Sequence, residues 1–344
     1  MRILFLQKTS EFSGAESVVL QIMKLLKEHE TFYASPSGEI QKHIEENGEN
    51  FCKLEKINLR SIKKVINKIK PDVIHATDFT MSSLAAMVAG NIPVVSHIHS
   101  NPPWIKSFWH PKSIIYALTL PRIAHVILVS ESISKEYKYS FLLKNKFTVI
   151  DNFVNTKNVK YQAKKGSNIK PADFIFLGRL TYPKNPLKFC KIIKEIKKYK
   201  KNVFGYMVGR GELEEEIKNY INDNDLFDNI KLVGFVRNPY SYIEKSKVGI
   251  MPSRFEGFGL AAVEMLSLGK PVICNEVGGL ANVVTDDAGK FCHNMDEYVN
   301  EAIRLLKDEE YYEKKSEFAV KRASVFSDEK KYKSKLEEIY QKVL

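Results

Sequence analysis

Short apolar runs alternate with amphipathic stretches along most of this chain, and that alternation limits the fold more than any other feature. The runs from Arg2 to Leu6, Thr31 to Ala34, Phe51 to Leu54, Pro71 to His75, Pro93 to His97, Ala124 to Val129 and Phe147 to Ile150 read as strands. Between them, Ser17 to Lys27, Glu39 to Glu46, Ser61 to Lys70 and Thr80 to Ala89 read as helices. Strands interleaved with helices imply parallel βαβ units. A Lys-, Gln- and Ser-rich stretch from Thr156 to Lys170 lacks apolar periodicity and reads as an interdomain linker. Strand signals then restart at Asp173 to Leu177, Val203 to Val208, Ile230 to Val233 and Val248 to Met251, with a helix from Leu187 to Tyr199 after the first. From Met295 onward the chain reads as helical. Its last segment, about Asp328 to Leu344, carries Tyr332, Leu336, Ile339, Tyr340 and Val343 at helical spacing. Such a stripe needs a groove to cover it.

The expected architecture is α/β, with two doubly wound, Rossmann-like domains. The expected boundaries are 1–160 and 161–325, with a helix over 326–344 returning to the first domain. A chain of 344 residues is comfortable for two domains, and its 44% apolar content supplies a core for each. Cys52, Cys190, Cys274 and Cys292 have neither metal-ligand nor redox spacing and read as packing residues in a reducing compartment. The opening Met1 to Leu6 is too short for a signal peptide, and no apolar run approaches the length of a membrane span. The net charge of +12 calls for an anionic partner. No stacked aromatic–basic array or helix-turn-helix signature accompanies it. Nucleic acid is therefore the weaker choice, against a phosphate-bearing ligand or an anionic membrane surface.

The chemistry concentrates in Met251-Pro252-Ser253-Arg254-Phe255-Glu256-Gly257-Phe258-Gly259-Leu260-Ala261-Ala262-Val263-Glu264. This reads as a strand end, a glycine turn and a helix start. Gly257 and Gly259 would permit positive φ and a close backbone approach. The amides of Phe258, Gly259 and Leu260 would then point from a helix N-terminus, where the dipole favours an anion. Glu256 and Glu264 bracket that cradle. An anion site between two carboxylates suits a phosphate held between hydroxyl-bearing groups, as in a nucleotide-sugar; a plain strand–helix turn with two surface glutamates is the alternative. Arg179 and Lys184 lie in another loop at a strand's carboxyl end, Gly178 to Pro186, where a guanidinium and an ammonium would stabilise a diphosphate. Arg210, between Gly209 and Gly211, would touch the same ligand or remain surface charge. Gly14 follows the first strand in Ser13-Gly14-Ala15-Glu16, facing a ligand or simply starting a helix with Ser13 as cap. Among the histidines, His99 stands last on its strand. Both tryptophans fall in Pro102 to Lys112, which suits either a membrane–water interface or a substrate loop.

These motifs resemble those of the retaining glycosyltransferases of family 4, which have the GT-B fold, with two domains facing across a cleft. Glu256 to Glu264 looks like the family's E-x7-E motif, and Gly178-Arg179-Leu180 with Lys184-Asn185-Pro186 like its diphosphate turn. Val208 to Leu213 and Gly234-Phe235-Val236 resemble its nucleoside-side loops, and Ser13 to Glu16 its N-terminal glycine loop, with Ser13 where a glycine is common. After Asn152, Phe153-Val154-Asn155 replaces the usual Gly-Val-Asp. The resemblance implies that Arg179 and Lys184 neutralise the leaving nucleoside diphosphate. Glu264 would hold ribose hydroxyls. Glu256 and the Phe258–Leu260 amides would hold the donor sugar and distal phosphate. His99, Ser13 and Gly14 would face the sugar, and Gly178, Gly209, Arg210 and Val236 would line the nucleotide.

The function expected from this resemblance is sugar transfer, with retention, from a nucleoside diphosphate-sugar, UDP-sugar favoured, to a glycan or polyprenyl-linked acceptor. No cofactor or metal is expected, since the cations would do that work. The setting would be cytoplasmic, peripheral to the membrane, in surface polysaccharide synthesis. A nucleotide-sugar 2-epimerase of the same fold and a non-catalytic partner protein are the alternatives.

Overall fold

The computed structural model describes residues 1–166 and 168–344 and divides into two units. One comprises Met1–Phe153 with Asp328–Leu344, the other Val154–Ser327.

The first unit is built on seven parallel strands: β1 Arg2–Leu6, β2 Glu30–Ser35, β3 Asn50–Lys53, β4 Val73–Thr77, β5 Val94–Ile98, β6 His125–Leu128 and β7 Phe147–Val149. Their order is β3-β2-β1-β4-β5-β6-β7. Every residue of β4 and of β5 is buried, as expected of central strands covered on both faces. Leu4, Leu6, Ile62, Ile66, Ile74 and Val94 form a core on one side, each side chain worth roughly 1.5–3 kcal/mol of burial. The helix Glu329–Val343 belongs to this unit and buries Tyr332, Leu336, Ile339 and Tyr340 of the stripe its spacing predicts, whereas Val343, in the last turn, is only half-buried.

The second unit has six parallel strands: β8 Ala172–Leu177, β9 Gly205–Val208, β10 Ile230–Gly234, β11 Ser246–Met251, β12 Val272–Cys274 and β13 Gly289–Phe291. Their order is β10-β9-β8-β11-β12-β13. Phe174, Phe189, Ile193, Met207, Ile250 and Tyr298 pack its core. In each sheet the winding direction reverses once, between β1 and β4 and between β8 and β11. Loops leaving the carboxyl ends of those four strands therefore splay apart and leave room for a ligand.

Two stretches differ from expectation. Thr156–Ala163, within the supposed linker, is a helix. Asn155 caps it by accepting from the Asn158 amide at 2.9 Å, and Val159 and Ala163 are buried. The helix packs on Tyr240–Glu244 and Leu260–Ser267, so it is part of the second unit. Two buried residues one turn apart among lysines are too few to register as periodicity. Ser167, inside the same stretch, lies outside the described residues. The other difference is the helix Pro111–Thr119, which follows the tryptophan loop. Its buried face is Ser113, Tyr116, Ala117 and Thr119, whereas Leu118 is 74% exposed. Hydroxyl-bearing residues are inside and leucine outside, the reverse of the usual pattern.

Candidate active site

The turn between β8 and the helix Pro186–Lys197 runs directly over the turn after β9. The Gly178 amide donates to Val208 and the Leu180 amide to Arg210. A Cβ on Gly209 would come within 2.0 Å of the Gly178 carbonyl oxygen, so only glycine fits there. Arg179, raised on this turn, is exposed and makes no ion pair among the described residues. Arg210 is exposed beside Gly234, and Val236 is half-buried just beyond β10.

Across the β8/β11 reversal the two loops are tied together. The Arg254 amide donates to Pro183 at 2.8 Å, and the Asn185 side chain to Pro252 at 3.1 Å. The Lys184 ammonium forms an ion pair with the Glu256 carboxylate, to which the Ser253 hydroxyl also donates at 3.4 Å. Glu256 is nearly enclosed, with a side chain 10% exposed. Removing the partner of so sheltered a charge is costly, so the pair fixes both side chains. Lys184 and Glu256 were read from separate motifs; the structure brings them into contact.

The glycine turn itself differs in one respect from the reading. Gly259 has φ +102, in the left-handed region, but Gly257 does not adopt positive φ. The close approach is permitted by Gly279 instead, where a Cβ would come within 2.4 Å of the Gly257 carbonyl oxygen. Past this turn the helix Leu260–Ser267 begins with no side-chain cap. The amides of Phe258, Gly259 and Leu260 donate to no group among the described residues, the condition for binding an anion. Glu264 is one turn into that helix, and Tyr240 donates its hydroxyl to the Glu264 carboxylate at 3.2 Å. Burial lifts the Glu264 pKa from 4.5 to about 7, with the tyrosine hydrogen bond opposing it. The sequence reading missed Tyr240, which carries no motif and meets Glu264 only through packing.

In the first unit the polar groups collect at the carboxyl ends of β1, β4 and β5. Gln7, Thr77, His97 and Asn101 are all buried there. Each keeps a buried side-chain nitrogen or oxygen without a hydrogen-bond partner among the described residues, and His99 keeps both ring nitrogens so. Buried polar atoms are normally paired, so such a row marks a place for ligand or solvent. The His99 amide donates to Asp78 at 3.1 Å, and Ser100 to the same oxygen at 3.3 Å. Burial holds His99 neutral, with its pKa lowered to about 4. Asp78, with φ +61, was not anticipated; a non-glycine residue in that conformation is uncommon.

Ser13 and Gly14 lie at the start of the helix Gly14–Leu25. Ser13 donates to Glu16 at 2.5 Å instead of capping an amide. Its φ of −145° is extended, so a serine in place of glycine brings no strain. Of the two tryptophans, Trp104 is structural, against Phe79 at 5.0 Å and stacked on His110 at 5.3 Å, while Trp109 is 87% exposed. Among the described residues no helix is long and apolar enough to cross a membrane.

Residues 12–158 match the family model Glycosyltransferase Family 4, and residues 157–322 match Glycosyl transferases group 1. The poly(glycerol-phosphate) alpha-glucosyltransferase of Bacillus subtilis is 36% identical over 161 residues, covering 44% of this chain but only 23% of that protein. The UDP-Gal:alpha-D-GlcNAc-diphosphoundecaprenol alpha-1,3-galactosyltransferase of Escherichia coli is 26% identical over 345 residues, covering 90% of this chain and 88% of its own. Among solved structures, Anabaena HepE in complex with UDP and glucose superposes with a TM-score of 0.85 at 18% identity, covering 98% of each chain. The two family models together span residues 12–322, and the chain belongs to the family 4 glycosyltransferases, with their GT-B fold.

Proposed function

We propose that the protein transfers a sugar from a UDP-sugar to a glycan or lipid-linked acceptor, with retention and without a divalent metal. The observation that carries this reading is the Lys184–Glu256 pair at the β8/β11 reversal, beside three amides and the Arg179 guanidinium, none of which has a partner among the described residues. A diphosphate there meets two cations and a helix N-terminus, and Glu264 suits a pair of ribose hydroxyls. The donor is supported by the UDP bound to HepE and the UDP-Gal named for the E. coli relative. The acceptor class is supported by the lipid diphosphate in that relative's name and by a Staphylococcus aureus relative named for capsular polysaccharide biosynthesis.

In the transfer, the acceptor hydroxyl oxygen bonds to the sugar's C1 while the bond from C1 to the phosphate oxygen breaks. The electron pair leaves with the diphosphate, and the same phosphate oxygen takes the acceptor's proton. The enzyme's task is to stabilise charge on the departing group, for which one well-placed donor is worth roughly 10²–10³ in rate. Arg179 and Lys184 supply that charge in this reading; Gly178, Gly209, Arg210 and Val236 line the nucleotide. An epimerase would need a proton acceptor, and His99, whose pKa is lowered to about 4, is a weak one near neutrality.

A membrane-facing surface accompanies this reading. Phe108, Trp109, Ile115 and Leu118 are all exposed along one stretch, with Lys112 between them and Lys106 just before. Exposed aromatic and aliphatic side chains among lysines suit an anionic lipid surface.

The test is incubation with a panel of nucleotide-sugars and a polyprenyl-diphosphate-linked sugar, followed by NMR of the product's anomeric configuration. An α-linked product from an α-linked UDP-sugar, formed equally with and without EDTA, is expected. An inverted product, or UDP release only with added divalent metal, would refute the mechanism.

A further inference from the structure

Three buried side chains of the first unit form a hydrogen-bonded line that ends beside His99. The Tyr340 hydroxyl, on the helix Glu329–Val343, lies 2.7 Å from Nδ1 of His75 on β4. Nε2 of His75 lies 3.0 Å from Nδ1 of His97 on β5. The ring of His97 lies against that of His99, 4.0 Å between centroids and tilted by 36°. Because His75 pairs with Val95 in register, His75 and His97 project from the same face of the sheet. None of Tyr340, His75 and His97 has exposed surface.

Enclosure makes the protons countable. Burial lowers the pKa of His75 to about 3 and that of His97 well below its usual value, so each ring is neutral and carries one N–H. Burial raises the Tyr340 pKa, so its proton stays on. Two arrangements satisfy both contacts. In one, the Tyr340 hydroxyl donates to Nδ1 of His75, Nε2–H of His75 donates to Nδ1 of His97, and His97 carries its proton on Nε2. In the other every bond is reversed, and the Tyr340 proton has no acceptor among the described residues. The first arrangement leaves one buried group unpaired, Nε2–H of His97, whereas the second leaves two, the Tyr340 proton and the Nε2 lone pair of His97; the extra unpaired group costs about 1–3 kcal/mol, which selects the first. In that arrangement the line ends at Nε2 of His97, which has no partner among the described residues.

We propose that Tyr340 and His75 are positioning residues that lock His97 in the Nε2–H tautomer, presenting a buried donor beside His99 to an oxygen of the bound sugar. The last helix thereby sets the hydrogen-bonding polarity of a site to which it contributes no contact. The sugar oxygen rests on the proposed transfer activity; the tautomer does not.

The experiment uses the full chain labelled with [15N]histidine and long-range 1H–15N spectra, with signals assigned by single His→Gln variants. In the wild type, His75 and His97 should each show the Nε2–H form, and a bound UDP-sugar should shift the His97 Nε2 signal. Tyr340→Phe removes only the hydroxyl. It should mix the tautomers of both rings and lower kcat by about tenfold, leaving KM for the nucleotide-sugar within about twofold. Tyr332→Phe, which removes a buried hydroxyl from the same helix, should leave the tautomers unchanged. An Nδ1–H form of His97 in the wild type overturns the proposal whether or not Tyr340→Phe folds. So do spectra that Tyr340→Phe leaves unaltered. Tautomers as expected in a protein that transfers no sugar would sink the transferase reading alone.

Discussion

Replacing Glu264 by glutamine should stabilise the protein at high pH and leave it unchanged at low pH. The carboxyl titrates near 4.5 when exposed and near 7 in the folded protein, because burial disfavours its charge. A carboxyl whose folded pKa is raised holds its proton more tightly in the native state. It therefore favours folding in acid, and that contribution is lost as pH climbs from the unfolded value through the folded one. Weighing the two titrations gives a penalty for the native carboxylate of about 3 kcal/mol at pH 8 and under about 1 kcal/mol at pH 5. Glutamine is nearly isosteric, keeps an oxygen for Tyr240 and carries no charge. The Glu264→Gln variant should accordingly melt about 6–10 °C above the wild type at pH 8, and within about 3 °C of it at pH 5. Paired thermal melts at the two pH values, without nucleotide, measure this directly. An equal difference at both values would mean that desolvation of a charge is not the cause. A variant less stable than the wild type at pH 8 would mean that the carboxylate is stabilised where it sits.

Two further outcomes follow from the geometry. Lys184→Ala should lower the transfer rate by about 10² or more, measured as nucleoside diphosphate release, since it removes a cation from the phosphate loop and strands the sheltered Glu256. Joint replacement of Trp109 and Leu118 by serine should weaken binding to phosphatidylglycerol-containing vesicles at least about tenfold in a sedimentation assay. The melting temperature should not move, because both side chains are exposed; unchanged vesicle binding would remove the lipid-surface reading.

The strands were legible because central parallel strands are mostly apolar: β5, Val-Val-Ser-His-Ile, is bounded by Pro93 and a polar turn, and it formed within a residue of expectation. β13, Gly289–Phe291, was missed, being three residues long with a lysine in the middle. The helix Pro111–Thr119 was missed because its core side is held by hydroxyls, with Ser96 hydrogen-bonded to Tyr116 at 2.9 Å. At the site, glycines and charges at strand ends pointed to Lys184 and Glu256 one at a time. Their ion pair joins residues 72 positions apart and depends on which strands become neighbours. Tyr240 beneath Glu264, Asp78 beneath His99 and Tyr340 behind His75 have the same origin. Each carries no local pattern and acquires its role only when distant elements pack.

The order in which the chain is made gives the last helix a further consequence. Residues up to Phe153 supply all seven strands of the first unit, yet the side chains that seal one face of that sheet arrive only with Asp328–Leu344. During synthesis the second unit has all its residues available while the first still lacks a wall, with His75 missing its tyrosine. The half that is begun first is finished last, and its polar interior stays open to water until the second half has been translated.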